Sequence, residues 1–201
     1  MKNRLYRAVV LVTAMLLPGL TVQPARAAKN ENAGIVNFTG VMVGGETCTL
    51  ENPQVTVNFG EINVDRQGPV PAVLGSPQPV VFRLTKCASY VQKVNMTVSF
   101  AVALGAETTG DLIHNDGDAG EGLYVVGALT CPAEAPAQGV NCTTGSRFSN
   151  GETVSGTVTN GGVSFPLAVS LRTFNMFDPS SPIMPDAGSI DMIVNFTFEE
   201  A

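Results

Sequence analysis

Apolar and polar residues alternate over several short stretches of this chain, which is the pattern of β-strands rather than of helices. Successive side chains of a strand point to opposite faces, so a period of two predicts a strand with one buried face. The expected strands are residues 34–43, 55–59, 80–84, 94–102, 123–129, 163–171 and 190–198. Clusters of Gly, Pro, Asn and Asp separate them, at 66–71, 75–79, 116–122, 160–162 and 179–185. Strands separated by turn residues, without a convincing helical period, predict an all-β sandwich or barrel.

The first stretch, residues 34–43, precedes every cysteine of the chain. One of its faces carries Val36, Phe38, Gly40 and Met42. A strand outside its own disulfide loop could be donated to a neighbouring molecule. The residues alone leave an alternative open, in which this is an ordinary first strand packed in its own sandwich.

The last stretch has an unusually apolar face. It consists of Ile190, Met192, Val194, Phe196 and Phe198. Alternation of this kind predicts a core face. No later stretch of the chain is available to pair with the far edge of this strand, so we expect a vacant position beside it.

The first 27 residues are expected to be an export signal rather than part of the fold. Lys2, Arg4 and Arg7 precede an apolar run at 8–17, and Ala-Arg-Ala at 25–27 has the small-x-small form of a cleavage site. Removing this segment lowers Lys plus Arg from 11 to 7 against 17 acids, so the formal charge changes from −6 to −10. An acidic protein without a Lys/Arg cluster argues against nucleic acid as a partner.

Four cysteines in an exported chain indicate two disulfides, because the compartment is oxidising. Three connectivities are open, and the sequential pairing is favoured because both loops are then local: Cys48 with Cys87, and Cys131 with Cys142. The spacings do not resemble a zinc site, and the lone His114 cannot help to build one. We therefore expect no metal and no cofactor.

Candidate chemistry elsewhere is sparse. An acidic loop holds Asp111, Asp116, Asp118 and Glu121, but EF-hand spacing is absent, and a solvated turn is favoured over a calcium site. The chain has no nucleophile elbow, phosphate loop or metal-binding helix motif. The sequence therefore predicts no catalytic residues and no enzyme.

Several motifs, in their order and spacing, resemble the subunits of chaperone–usher pili of the type 1 or P fimbrial class. The pattern of Gly34, Val36, Phe38, Gly40 and Met42 resembles the family's N-terminal extension, and Cys48 and Cys87 follow at similar spacing. Gly-Leu-Tyr-Val at 122–125, Phe-Pro-Leu at 165–167 and the closing stretch 188–198 resemble later strands of the family. The chain departs from the family at Phe198, where a tyrosine is common, and in its additional Cys131–Cys142 pair.

The resemblance implies an incomplete immunoglobulin-like β-sandwich that lacks its final strand. Residues 28–45 would be the donor-strand extension and 46–201 the pilin domain, with an acceptor groove beside residues 190–198. A periplasmic chaperone would fill the groove until the extension of the next pilus subunit replaces it, and an outer-membrane usher would carry the chain to the fimbria on the bacterial surface. Strand addition of this kind combines backbone hydrogen bonds with pockets for alternate side chains.

Two other functions stay open at this point. One is an adhesin subunit that binds a host receptor through loops at 105–122 or 131–150. The other is a free-standing secreted binding module, which should fold alone as a stable monomer.

Overall fold

The computed structural model describes residues 34–43, 48–62, 73–118, 125–175 and 188–201. These contain nine strands and one short helix: β1 (Gly34–Val43), β2 (Thr49–Leu50), β3 (Gln54–Gly60), β4 (Val73–Thr85), β5 (Lys93–Phe100), β6 (Val125–Thr130), α1 (Glu134–Ala137), β7 (Thr153–Thr157), β8 (Val163–Thr173) and β9 (Ile190–Glu200). The export signal expected at 1–27, the turns expected at 66–71 and 179–185, and most of the 122–125 motif lie outside the described residues.

The described strands form two sheets. The first has the order β3-β1-β9-β5-β7 and the second the order β2-β4-β8-β6. Neighbouring strands are antiparallel except for β1 and β9, which run parallel. The prediction of an all-β sandwich is confirmed, and the two-sheet arrangement fits the immunoglobulin-like class.

Aromatic side chains join the two sheets at the centre of the core. Phe196 of β9 lies 4.8 Å, between ring centroids, from Phe82 of β4. Phe198 lies 5.6 Å from Phe82 and 5.5 Å from Phe165 of β8. Tilted rings at these separations are a favourable aromatic geometry. The apolar face expected on the last strand therefore lines the core between the two sheets.

The predicted disulfide pairing is confirmed: Cys48 is bonded to Cys87, and Cys131 to Cys142. The first bond links the start of β2 to the end of β4. The second closes a loop of 11 residues around α1, after β6. Strand β1 lies outside both closed loops.

The structure differs from the expected elements at residues 75–79 and in three short elements. Residues 75–79, expected as a turn, belong to β4, where the register to β8 shifts between Leu74 and Gln78 and Gly75 has a φ of 69°. A bulge and a turn are both rich in Gly and Pro, so the sequence pattern of this bulge is the same as that of a turn. Strands β2 and β7 and helix α1 are short, and no prediction from the sequence included them.

Candidate functional site: the β1 cleft

Strand β1 fills a gap between β3 and β9, which we call the β1 cleft. It pairs antiparallel with β3 over Gly34 to Thr39 and parallel with β9 over its full length. Without β1, the edges of β3 and β9 would face each other across an open core. The position beside β9 that was expected to be vacant is therefore occupied, in the single chain, by the segment expected as a donor.

The predicted donor and acceptor residues face each other in register. The pairs are Val36 with Met192, Phe38 with Val194, Gly40 with Phe196, and Met42 with Phe198, while Ile190 pairs with Gly34. Val36 and Phe38 are 0% and 1% exposed, and the five acceptor residues are buried as well. Because the side-chain period is two on both strands, one register brings both apolar faces into the core together.

Burial of the β1 side chains supplies the driving force for docking. A fully buried Val or Phe side chain contributes about 1.5–3 kcal/mol before entropy, and each backbone hydrogen bond about 0.5–1.5 kcal/mol net. The ring of Phe38 lies 6.2 Å, between centroids, from that of Phe196. Val36 and Phe38 are therefore the main apolar anchors of β1.

Gly40 lies where the cleft is shallowest. A Cβ built on Gly40 would lie 3.1 Å from Leu50 Cδ2, 3.1 Å from Phe198 Cε2 and 3.1 Å from Phe82 Cε1. The Gly40 amide also donates to the carbonyl oxygen of Pro53 at 2.7 Å. Glycine is used here for close approach, since its φ is not in the left-handed region.

The opposite face of β1 points to solvent. Val41 and Val43 are about half exposed, and the hydroxyl of Thr56 on β3 donates to Asn37 Oδ1 at 3.1 Å. On β9, Ile193 is likewise half exposed. The two faces of β1 thus differ sharply in packing, which offers matched positions for mutation.

A polar clamp holds the start of β9. Asn115 is buried, and its Oδ1 accepts from the amides of Asp191 at 2.9 Å and Gly117 at 3.0 Å. Asp118 Oδ1 accepts from both the amide and the hydroxyl of Ser189. The hydrogen bonds from the Ser189 side chain and backbone lower the pKa of Asp118 below its ordinary value.

These contacts give the acidic loop a structural role at Asp118. Glu121 lies outside the described residues. Within the described part of the chain, no group of three or more His, Cys, Asp or Glu could hold a metal ion. His114 Nε2 lies 3.6 Å from Asp116 Oδ1.

No helix among the described residues is long and apolar enough to cross a bilayer.

Sequence reasoning missed the clamp on β9. Asp118 and Ser189 are 71 residues apart in the chain, so nothing in the local pattern signals that they meet. A Cβ on Gly117 would lie 2.3 Å from the Ser189 carbonyl oxygen, which shows how closely this loop approaches β9. The Asn-Asp-Gly-Asp run at 115–118 is a turn signal, and that is the only trace of the clamp in the sequence.

A scan of family models finds no match to this chain, and a search of curated proteins finds none either. Among solved structures, the P pilus rod subunit PapA is similar at a TM-score of 0.47 and 11% identity, over 77% of this chain and 99% of that one. The CupB6 tip adhesin from Pseudomonas aeruginosa is similar at a TM-score of 0.44 and 8% identity, over 85% of this chain. The chain spans 42% of the length of CupB6. We assign no family on likenesses this low.

Proposed function

We propose that this chain is a structural subunit of a bacterial fimbria, which polymerises by placing its β1 in the β1 cleft of a neighbouring subunit. The observation that carries the proposal is the match between β1 and the cleft. Buried apolar residues alternate on both strands in one register, with a glycine at the shallow point. The resemblance of the motifs around 34–42 and 188–198 to pilus subunits supports the same function.

The place of β1 in the chain makes the exchange between molecules feasible. Strand β1 is outside both disulfide loops, and it joins the body through residues 44–47. Its release therefore breaks no covalent bond. A strand from a second molecule would bury the same apolar face. It would also form backbone hydrogen bonds with the same edges of β3 and β9.

The direction of β1 is compatible with exchange. A parallel pair is slightly less stable per residue than an antiparallel one. In the single chain, the short connection between Val43 and Cys48 restricts the direction of β1. A strand that arrives from another molecule is free of that restriction. In the reversed direction it would pair antiparallel with β9 over ten residues and parallel with β3 over six, so exchange need not cost stability.

If β1 left its cleft, the exposed apolar surface would have to be covered to prevent aggregation. Loss of β1 would uncover Phe196, Phe198 and Phe82, which are fully buried in the present arrangement, together with two unpaired strand edges. Exposed apolar edges of this kind are prone to aggregation. We therefore expect a periplasmic chaperone that supplies a temporary strand and an outer-membrane usher that exchanges it, with the mature chain in a surface fimbria.

Receptor binding in an adhesin subunit is the second candidate function. The loops expected for it at 105–122 and 131–150 include residues of one cavity, among them Asp111 and Arg147. This function is compatible with polymerisation, because β6 and β8 form the wall of the cavity and belong to the second sheet.

The proposal is tested by refolding a chain that lacks residues 28–43. We expect this truncated chain to aggregate alone and to be recovered as a soluble one-to-one complex when a synthetic peptide of residues 34–43 is present. A matched peptide with Phe38→Ala should recover far less, because its main aromatic anchor is missing. Spontaneous refolding of the truncated chain to a compact, long-lived monomer would contradict the proposal.

A further inference from the structure

A cavity of about 300 Å³ lies outside the β1 cleft, against strands β6 and β8 of the second sheet. The segment 105–112 and the side chain of Arg147 complete its wall. Its apolar lining includes Leu112, Val126 and Phe174. Leu112 and Val126 belong to a small separate core cluster, against which Phe174 packs.

Two arginines line this cavity, although the chain as a whole is acidic. Only five Lys or Arg residues fall within the described part of the chain, and Arg147 and Arg172 are two of them. The single acidic residue in the lining is Asp111. The cavity therefore carries an excess of one positive charge in a chain of formal charge −6.

The two arginines differ in how they are paired. Arg147 forms an ion pair with Asp111, and the hydroxyl of Thr109 donates to the same carboxylate. Among the described residues, no carboxylate forms an ion pair with Arg172. Its Nε is buried and has no hydrogen-bond partner. One guanidinium is thus held in place by the protein. The Nε of the other is buried, so a ligand in the cavity would pair with its terminal Nη atoms.

The electrostatics of Arg172 agree with this arrangement. Burial, and then the positive charge of Arg147, lower the pKa of Arg172 below its ordinary value, while Asp111 acts in the opposite direction. The two guanidinium groups are therefore close enough to repel each other. An anion bound between them would relieve that repulsion, since attraction is stronger where water is partly excluded.

We propose that this cavity binds an acidic monosaccharide, a single sugar ring that carries one carboxylate. The planar guanidinium of Arg172 matches a carboxylate in a two-bond geometry. Phe174 and Leu112 offer an apolar surface to the C–H face of the ring, and Thr109 and Asp111 offer polar atoms to its hydroxyls. The volume is at the small end of the range for ligand pockets, about 300–1,000 Å³, which suits one ring rather than a long oligosaccharide.

The test is titration calorimetry on the folded mature chain with three small probes, two sugars of similar size and one smaller carboxylate. These are methyl β-glucuronide, its neutral counterpart methyl β-glucoside, and 4-methylpentanoate, a carboxylate without hydroxyls. We expect the glucuronide to bind at least about tenfold more tightly than either of the others, as for one charge-assisted bidentate contact. Its affinity should fall as salt is raised.

Variants locate the binding to the cavity. Arg172→Gln should weaken glucuronide binding by about tenfold or more, and Arg172→Lys should restore little, because an ammonium lacks the planar fork. Lys93→Gln removes the same charge from an exposed position on β5 and should leave the affinity unchanged. A shift of the Arg172 Nε–H resonance on adding glucuronide would report binding at this side chain, and thermal unfolding confirms that each variant is folded.

Several results would overturn the proposal. They are equal affinity for glucuronide and glucoside, tighter binding of 4-methylpentanoate, no detectable binding of glucuronide, or an unchanged affinity in Arg172→Gln. None of these results bears on strand exchange, because the β1 cleft and this cavity share no residue.

Discussion

Replacing Gly40 by leucine should weaken the docking of β1 by overfilling the site where the strand lies closest to the core. The first added carbon would already lie 3.1 Å from Leu50, from Phe82 and from Phe198. Leucine brings three more carbons into a site with no open side toward the core. At least two of these neighbours must move, and the aromatic rings are themselves packed against Phe196 and Phe165.

The cost follows from the packing. Overfilling a well-packed core site costs typically about 1–3 kcal/mol, and loss of the glycine's freedom in the unfolded chain returns about 0.4–1 kcal/mol. The net loss is at most about 2.6 kcal/mol and lowers the equilibrium for β1 docking by up to roughly seventyfold, at 1.4 kcal/mol per factor of ten. The body should stay folded, because the Cys48–Cys87 bond and the second sheet do not involve β1.

Two measurements on the purified mature chain check this prediction. Hydrogen exchange should show faster exchange of the β1 amides, and analytical ultracentrifugation should show that polymer formation is blocked. Val41→Leu is the matched control, because Val41 is adjacent but 50% exposed on the opposite face. Normal polymer assembly by Gly40→Leu, with protection of β1 equal to that of the control, would refute the reasoning.

Three further changes have defined outcomes. Phe38→Ala should destabilise docked β1 by about 3–5 kcal/mol, as for a buried phenylalanine, and hydrogen exchange should place the loss on β1. Replacing Cys131 and Cys142 by serine should lower the free energy of unfolding by about 3 kcal/mol from the 11-residue loop they close, measured by urea denaturation; an unchanged midpoint would contradict it. Asp118 has a lowered pKa because of Ser189, so its contribution is present above about pH 4 and is lost as the pH falls further. Thermal melts from pH 6 to pH 2 should therefore fall less for Asp118→Asn than for the wild type.

The faces of β1 and β9 could be predicted from the sequence because a strand marks its buried side at every second residue. Val36 and Phe38, like Val194 and Phe196, lie on the side that alternation predicts. The close approach at Gly40 was likewise expected from the glycine. The disulfide pairing followed from the shorter loops.

The partner and direction of β1 could not be predicted in the same way. Both depend on contacts between residues more than 150 positions apart, such as Phe38 with Val194, and alternation does not encode which strand lies alongside. The bulge in β4 was read as a turn because Gly75 and the prolines near it suit both structures. The cavity at Arg172 was missed because it forms only when Arg147 and the segment 105–112 meet on one sheet.

The central claim is that β1 moves from its own cleft to that of another molecule. It is tested most directly by a chain in which β1 is locked in place through cysteines at Thr39 and Asn195, which are partners in register on the outer face. The account predicts that the oxidised double variant stays monomeric, while each single variant polymerises like the wild type. It also predicts that mild reduction of the exposed engineered bond restores assembly. Polymers that form equally well from the locked chain would contradict the account.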